Sequence, residues 1–181
     1  SVVLDLRGNP GGREDTLLGL LGAVLDHDVK VAERRGRGKS KKPVIAKTLG
    51  EKVFKGKVVV VVDGDSASSA ELFARVIQLE KRGVVIGERT AGAVMEGHIY
   101  RREMGAENAV FYGLIITESD LIMSDGLSLE GTGVVPDTLA VPTAEDLAAG
   151  RDPVLALAVK LAGSEISAEE AGTYFPFVWF D

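Results

Sequence analysis

The apolar positions of this chain fall into two rhythms. Ser1-Val-Val-Leu-Asp-Leu-Arg7 and Lys57-Val-Val-Val-Val-Val-Asp63 are near-continuous apolar runs, too short for helices. Each predicts a strand buried on both faces. Gly83-Val-Val-Ile-Gly87 predicts a third, shorter one. Between the runs the spacing becomes helical. Leu17, Leu18, Leu20, Leu21, Val24 and Leu25 follow Glu14 and Asp15, two acids placed where a helix start favours them. Leu72, Phe73, Val76, Ile77 and Leu79 predict a second helix over Ser68 to Arg82. Strand alternating with helix through the first half predicts an α/β layer with a mostly parallel core sheet.

After Gly92 the pattern changes. His98 to Glu103, Ala109 to Glu118 and a short piece near Leu121 predict antiparallel strands joined by turns. Gly126 to Asp137 is glycine-rich and reads as a loop, and Pro153 to Leu161 as a last helix with proline in its first turn. Gly36 to Pro43 reads as an exposed, mobile basic loop between two strand-like pieces. No internal repeat is present. Residues 1–163 are read as one core, with 164–181 as an appended tail that is aromatic from Tyr174 to Phe180.

Composition narrows the chemistry. The 181 residues suffice for one domain with a real core, and 45% hydrophobic with 27% charged residues is ordinary for a globular protein. No apolar run reaches the roughly 20 residues that span a bilayer. Without cysteine, disulfides and thiol chemistry are excluded. Only His27 and His98 are present, so a histidine-rich metal site is not expected. Lys30 to Lys57 holds eleven of the twenty-one basic residues, but a single aromatic, Phe54, and the net charge of the chain is −6. A solvated basic face is expected there, and no nucleic-acid partner.

Two junctions join a buried strand to a helix through small residues, Arg7 to Gly12 and Asp63 to Ser68. Free backbone N–H groups at a helix start favour an anion, and in a parallel sheet both turns lie at the carboxyl ends of strands. A serine at one turn facing amides at the other would pair a nucleophile with an oxyanion site. The residues also support a simpler reading. Ser68-Ser-Ala-Glu71 is a capping-box pattern, so Ser68 and Glu71 close the helix start, while Gly11 and Gly12 let the chain turn. Asp5 and Arg7 pair near a strand end on that reading.

Four segments in order carry a resemblance. They are Leu4-Asp-Leu-Arg-Gly-Asn-Pro-Gly-Gly12, Val62-Asp-Gly-Asp-Ser-Ala-Ser-Ser-Ala-Glu-Leu-Phe-Ala74, Gly87-Glu-Arg-Thr-Ala-Gly92 and Glu130-Gly-Thr-Gly-Val-Val-Pro-Asp137. Together they resemble the C-terminal processing (tail-specific) serine peptidases, in particular the tricorn-like branch. The resemblance implies a crotonase/ClpP-like layered α/β fold with antiparallel strands after the parallel sheet. It implies Ser68 as nucleophile, the amides of Ser69 and of Gly11 or Gly12 as oxyanion hole, and Glu130 as the carboxylate orienting a general base. It implies no cofactor and no metal. The partners implied are a peptide or unfolded-protein substrate, the N-terminal part of the same protein and, as an option, further copies of the chain. An extracytoplasmic (periplasmic or secreted) setting is implied by resemblance alone.

One position departs from the family's other branch, which places a lysine base about twenty-five residues after the serine. Ala93 stands there, and no lysine lies between Lys81 and Lys160. Lys81 is roughly 20 Å along its helix from Ser68, and His27 is as far from Gly12. His98 falls on the strand face opposite to residues 93 and 97. The base is therefore expected from outside this chain, and the isolated chain is expected to be inactive. Two other classes remain open: a peptide-binding module that has lost catalysis, and a crotonase-type acyl-CoA enzyme of related architecture.

Overall fold

A computed structural model of the chain describes residues 1–36, 43–105 and 108–175. The expected loop Gly36 to Pro43 and the end of the aromatic tail fall largely outside the described residues. The elements in order are β1 (Val2–Asp5), α1 (Glu14–Val24), β2 (Val29–Gly36), β3 (Val44–Ala46), β4 (Val58–Val62), α2 (Ser69–Leu79), β5 (Val84–Gly87), β6 (Glu96–Met104), β7 (Val110–Met123), β8 (Thr138–Leu139), α3 (Ala144–Ala148), α4 (Pro153–Ala162) and α5 (Ala168–Tyr174).

Two four-stranded sheets result. The first is parallel throughout, in the order β1-β4-β5-β8. Its centre, β4, is five valines, all buried. Strand alternation splits them between two cores. Val58, Val60 and Val62 join Leu17 and Leu21 of α1 and Phe73, Val76 and Ile77 of α2. Val59 and Val61 join Ile86 and, from α4, Val154 and Ala158. Helices thus cover both faces, which explains the unbroken apolar run. Burying each valine stabilises the fold by about 1.5–3 kcal/mol as an upper bound.

The second sheet is antiparallel, in the order β3-β2-β7-β6. It corrects two expectations. β2 and β3 precede β4 in sequence but do not extend the parallel sheet. The reason is visible in their residues: β2 alternates buried Val29, Val31 with exposed Lys30 and Glu33, so only one face is apolar. The pieces ending at Glu118 and near Leu121 are one continuous strand, Val110–Met123, whose last turnless stretch pairs with β2 and whose first pairs with β6. α5, which the sequence reading placed within the tail, docks on α4. Ala171 is buried there, Asp152 N–H donates to Ala168 O at 2.8 Å, and a side chain at Gly172 would collide with Gly150 O.

Because β1, β4 and β5 run parallel, the segments that leave them emerge at one end of the sheet. These are residues 6–13, 63–68 and 88–95.

Candidate functional site

The first two of those segments are bolted together. Gly8 N–H donates to both oxygens of the Asp63 carboxylate at 3.0 Å. The buried Ser66 hydroxyl donates to Leu6 O at 2.8 Å and accepts Asp63 N–H at 3.0 Å. Ala67 N–H donates to Asn9 O at 2.9 Å. These bonds fix the distance between the two strand–helix junctions.

Gly11 then meets Ser68 directly. A Cβ built on Gly11 would lie 2.6 Å from Ser68 Cβ and 2.8 Å from Ala67 O, and Gly11 has φ 92°. Contact and dihedral both demand glycine. Gly11 N–H is taken by Asn9 Oδ1 at 2.9 Å. Gly12 N–H and Ser69 N–H meet no acceptor among the described residues, and the Ser69 hydroxyl donates to Gly12 O at 2.9 Å. The oxyanion expectation therefore narrows from three amides to two.

Ser68 has φ 55° and ψ −120°, the only non-glycine besides Lys81 with positive φ among the described residues. An ordinary N-cap is extended; this serine is held in a sparsely populated conformation of the kind that stores about 1–3 kcal/mol. Hydrogen bonds from two directions in the sequence hold it there. Ser68 N–H donates to Glu71 Oε2 at 2.9 Å and to Ala93 O at 3.0 Å. Glu71 is fully buried. Besides Ser68 it accepts Thr90 Oγ1–H at 2.5 Å, Gly92 N–H at 2.8 Å and Ala93 N–H at 2.9 Å. Thr90 Oγ1 in turn accepts Val134 N–H at 2.6 Å. The helix-cap reading of Glu71 is thus half of its role; the other half ties the Ser68 turn to two downstream loops.

Glu130 sits on the second of those loops. Its Oε2 accepts Val94 N–H at 2.8 Å and Met95 N–H at 3.0 Å. Its side chain is half-buried, and Oε1 has no protein partner among the described residues. The peptide it grips follows Ala93, whose carbonyl holds Ser68 N–H. Ser68 and Glu130 are therefore both bonded to the same three-residue segment.

The two histidines and Lys81 make no hydrogen bond to it among the described residues. His27 is exposed and bridges Asp26 at 2.7 Å and Glu80 at 3.2 Å; the Asp26 carboxylate raises its pKa. His98 is exposed on β6 and packs edge-on against Tyr100 at 4.8 Å. Five residues separate it from Ala93, a reach of at most about 16 Å. Lys81 lies past the end of α2. No group of three or more His, Asp or Glu suited to a metal occurs among the described residues. In the basic stretch, Lys30 pairs with Glu33, Lys47 with Asp28, and Arg34 with Glu14 and Glu96.

Sequence reasoning missed Asn9, Asp63 and Thr90. Asp63 was the most accessible of these, because an Asp at a strand end followed by Gly-Asp-Ser is a pattern in which the carboxylate gathers turn amides. Asn9 carries the same signal, its Oδ1 accepting the amide two residues on, while nothing local marks Thr90.

A serine in a strained strand-to-helix turn, opposite unpaired amides, is the arrangement of a hydrolase. The model of peptidase family S41 matches residues 1–140, and the chain belongs to that family. It is 30% identical over 135 residues to a carboxy-terminal-processing protease of Bartonella bacilliformis, covering 75% of this chain and 30% of that protein. It is 30% identical over 164 residues to a tricorn protease homolog of Streptomyces coelicolor, covering 90% of this chain and 13% of that protein. Among solved structures, a peptidase from Parabacteroides merdae superimposes with a TM-score of 0.71 at 20% identity, covering 90% of this chain and 51% of that one. The tricorn protease does so with a TM-score of 0.63 at 21% identity, covering 87% and 14%. The chain thus spans under a third of the length of those two curated relatives.

Proposed function

We propose that this chain is the catalytic core of a serine endopeptidase that cuts unfolded or C-terminal protein segments. The observation that carries the reading is the contact of Gly11 with Ser68, which puts the unpaired Gly12 and Ser69 amides beside a serine forced out of ordinary backbone geometry. On this reading the layers are those of the crotonase/ClpP type, and an extracytoplasmic setting is proposed by family resemblance alone.

Ser68 Oγ attacks the scissile carbonyl and passes its proton to a base. The carbonyl oxygen becomes an oxyanion and takes the Gly12 and Ser69 N–H groups as donors. Collapse expels the amine, which collects the proton, and water hydrolyses the acyl-serine by the same route reversed. Glu130, anchored by one oxygen, turns the other toward the base and fixes its tautomer. On this reading the base comes from outside residues 1–181: His27 is engaged by Asp26 and Glu80, His98 packs on Tyr100, and Lys81 lies past the end of α2. A histidine suits acyl transfer at neutral pH.

The test is a fluorophosphonate that labels activated serines, applied to the full-length protein. It should modify Ser68, and not in the Ser68→Ala variant. Glu130→Gln should lower turnover about 10²–10⁴-fold, the range for a lost acid–base partner, while leaving folding intact. Wild-type turnover in that variant would remove Glu130 from the mechanism. A crotonase-type acyl-CoA enzyme needs no serine nucleophile and would stay unlabelled. The peptide-binding alternative rests on Ala93 and is excluded by labelling with turnover. The isolated chain should label slowly or not at all.

A further inference from the structure

Odd-numbered residues of the paired stretch of β6 and β7 share one face of that ribbon. Ile99 stands opposite Ile115, Arg101 opposite Gly113, and Glu103 opposite Phe111. All six are exposed. We propose that this face is a two-fold interface with a second copy of the chain, its axis crossing the strands at the Arg102–Tyr112 pair. The proposal does not depend on the peptidase reading of Ser68.

Two observations point to a partner. The first is Gly113. A Cβ built there would have Ile99 Cγ2 as its nearest neighbour at 3.5 Å, an ordinary contact, and its φ is not positive. The chain's own fold therefore does not require glycine at this position, although glycine weakens a strand interior. Such a glycine marks a place where another group comes close. The second is charge. The Arg101 guanidinium and the Glu103 carboxylate have no hydrogen bond or ion pair among the described residues, yet they stand on an otherwise apolar face.

The partner is a second copy because each of these features has its complement on the same face. A two-fold axis lying between two facing ribbons, across the strands, reverses residue order about the Arg102–Tyr112 pair. On β6 it sets Arg101 over the second copy's Glu103, and Glu103 over its Arg101. On β7 the same rotation sets Phe111 over the second copy's Gly113, and Gly113 under its Phe111. One axis thus forms two ion pairs and seats two rings in two hollows, each residue meeting its counterpart reciprocally as an isologous contact demands. Facing sheets pack about 10 Å apart, a gap that a ring on a glycine fills and that arginine with glutamate spans. Ile99 and Ile115 add apolar cover beside these contacts. Six side chains a copy fall short of the roughly 20–30 residues of a standard interface, so the dimer is weak and reversible.

The experiment is sedimentation of the full-length protein over a range of concentrations. Arg101→Glu and Glu103→Arg each set like charges against each other twice, and each should weaken self-association about tenfold or more. Mixed in equal amounts, the two variants should bind each other as tightly as wild type binds itself. A chain carrying both substitutions should again self-associate like wild type. Gly113→Val should keep or raise the melting temperature, since a β-branched residue suits a strand, and should weaken association about tenfold or more by filling the seat of the ring. Fluorophosphonate labelling at Ser68 should be the same in all of these, which separates this proposal from the peptidase reading. Wild-type protein that stays monomeric at every concentration overturns the interface. So does failure of the two charge variants to associate when mixed, which would give the face to another segment of the full-length protein or to a different partner. Wild-type association in Gly113→Val overturns it as well.

Discussion

A carboxylate has four acceptor positions, and Glu71 fills all four with donors from Ser68, Thr90, Gly92 and Ala93. Glutamine would present an amine to two of them. Glu71→Gln should therefore cost about 2–6 kcal/mol, two buried donors left facing a donor, and should slow labelling of Ser68 at temperatures where the variant is folded. Denaturant titration with parallel labelling checks both; a variant as stable as wild type would mean that these bonds are not made. The strain at Ser68 predicts a second difference. Ser68→Gly should be more stable than Ser68→Ala by about 1–3 kcal/mol, because only glycine adopts φ 55° without cost. Melting of the two inactive variants decides it. At this scale the capping half of Glu71 is legible in the sequence, because Ser-x-x-Glu is a local pattern. Its other donors lie 19–22 residues downstream. No spacing rule connects them; only the approach of three strand ends does.

Among the elements, α4 is fastened to β1 through ions. Arg7 contacts Asp152 at 2.7 Å and Asp5 at 2.6 Å, and Asp152 also caps α4 by accepting Leu155 N–H at 2.8 Å. Burial pushes the Asp152 carboxyl up, but Arg7 and the Leu155 amide more than reverse this, and its pKa lies below the ordinary value. A depressed folded pKa gives stability that is present above the unfolded value of about 3.9 and is lost as pH falls through the folded one. Asp152→Asn should cost between about 1 kcal/mol, a weakened cap, and about 3 kcal/mol, a broken buried pair. The gap from wild type, measured by urea unfolding, should narrow below pH 4; a gap independent of pH would show that charge plays no part. The pairing of Asp5 with Arg7 was legible in the sequence, but Asp152, 145 residues away, was not. The parallel strands were legible because apolar residues on both faces leave a continuous run. The sheet membership of β2 and β3 was not, since one-sided alternation fits any antiparallel partner.

Across the whole molecule the least expected feature is the β6–β7 ribbon. Between Gly97 and Thr117 its strands pair with each other alone among the described residues, and large apolar side chains are exposed on both faces. Ile99, Phe111 and Ile115 share one face, with Phe111 and Ile115 each 75% exposed. A two-stranded ribbon is marginal by itself, and an apolar edge invites pairing. The isolated chain should therefore self-associate with rising concentration. Replacing Phe111 and Ile115 together by lysine should reduce that association while changing stability by no more than about 1 kcal/mol, since neither side chain is buried. Sedimentation at several concentrations tests it; unchanged association would place the contact elsewhere. The sequence predicted these strands but not their exposure, because an apolar strand reads the same whether its cover belongs to the chain or not.

The backbone of Ser68 also bears on whether this chain has abandoned catalysis. Mutation at a position freed from its duty drifts toward whatever folds best, and here that residue is glycine, one codon base from some serine codons. A lineage that had ceased to hydrolyse anything would gain stability by making that exchange, and would lose nothing. The chain instead keeps a hydroxyl where thermodynamics alone would discard it. On the proposed reading that oxygen is the attacking group, and the unfavourable dihedral is what presenting it costs.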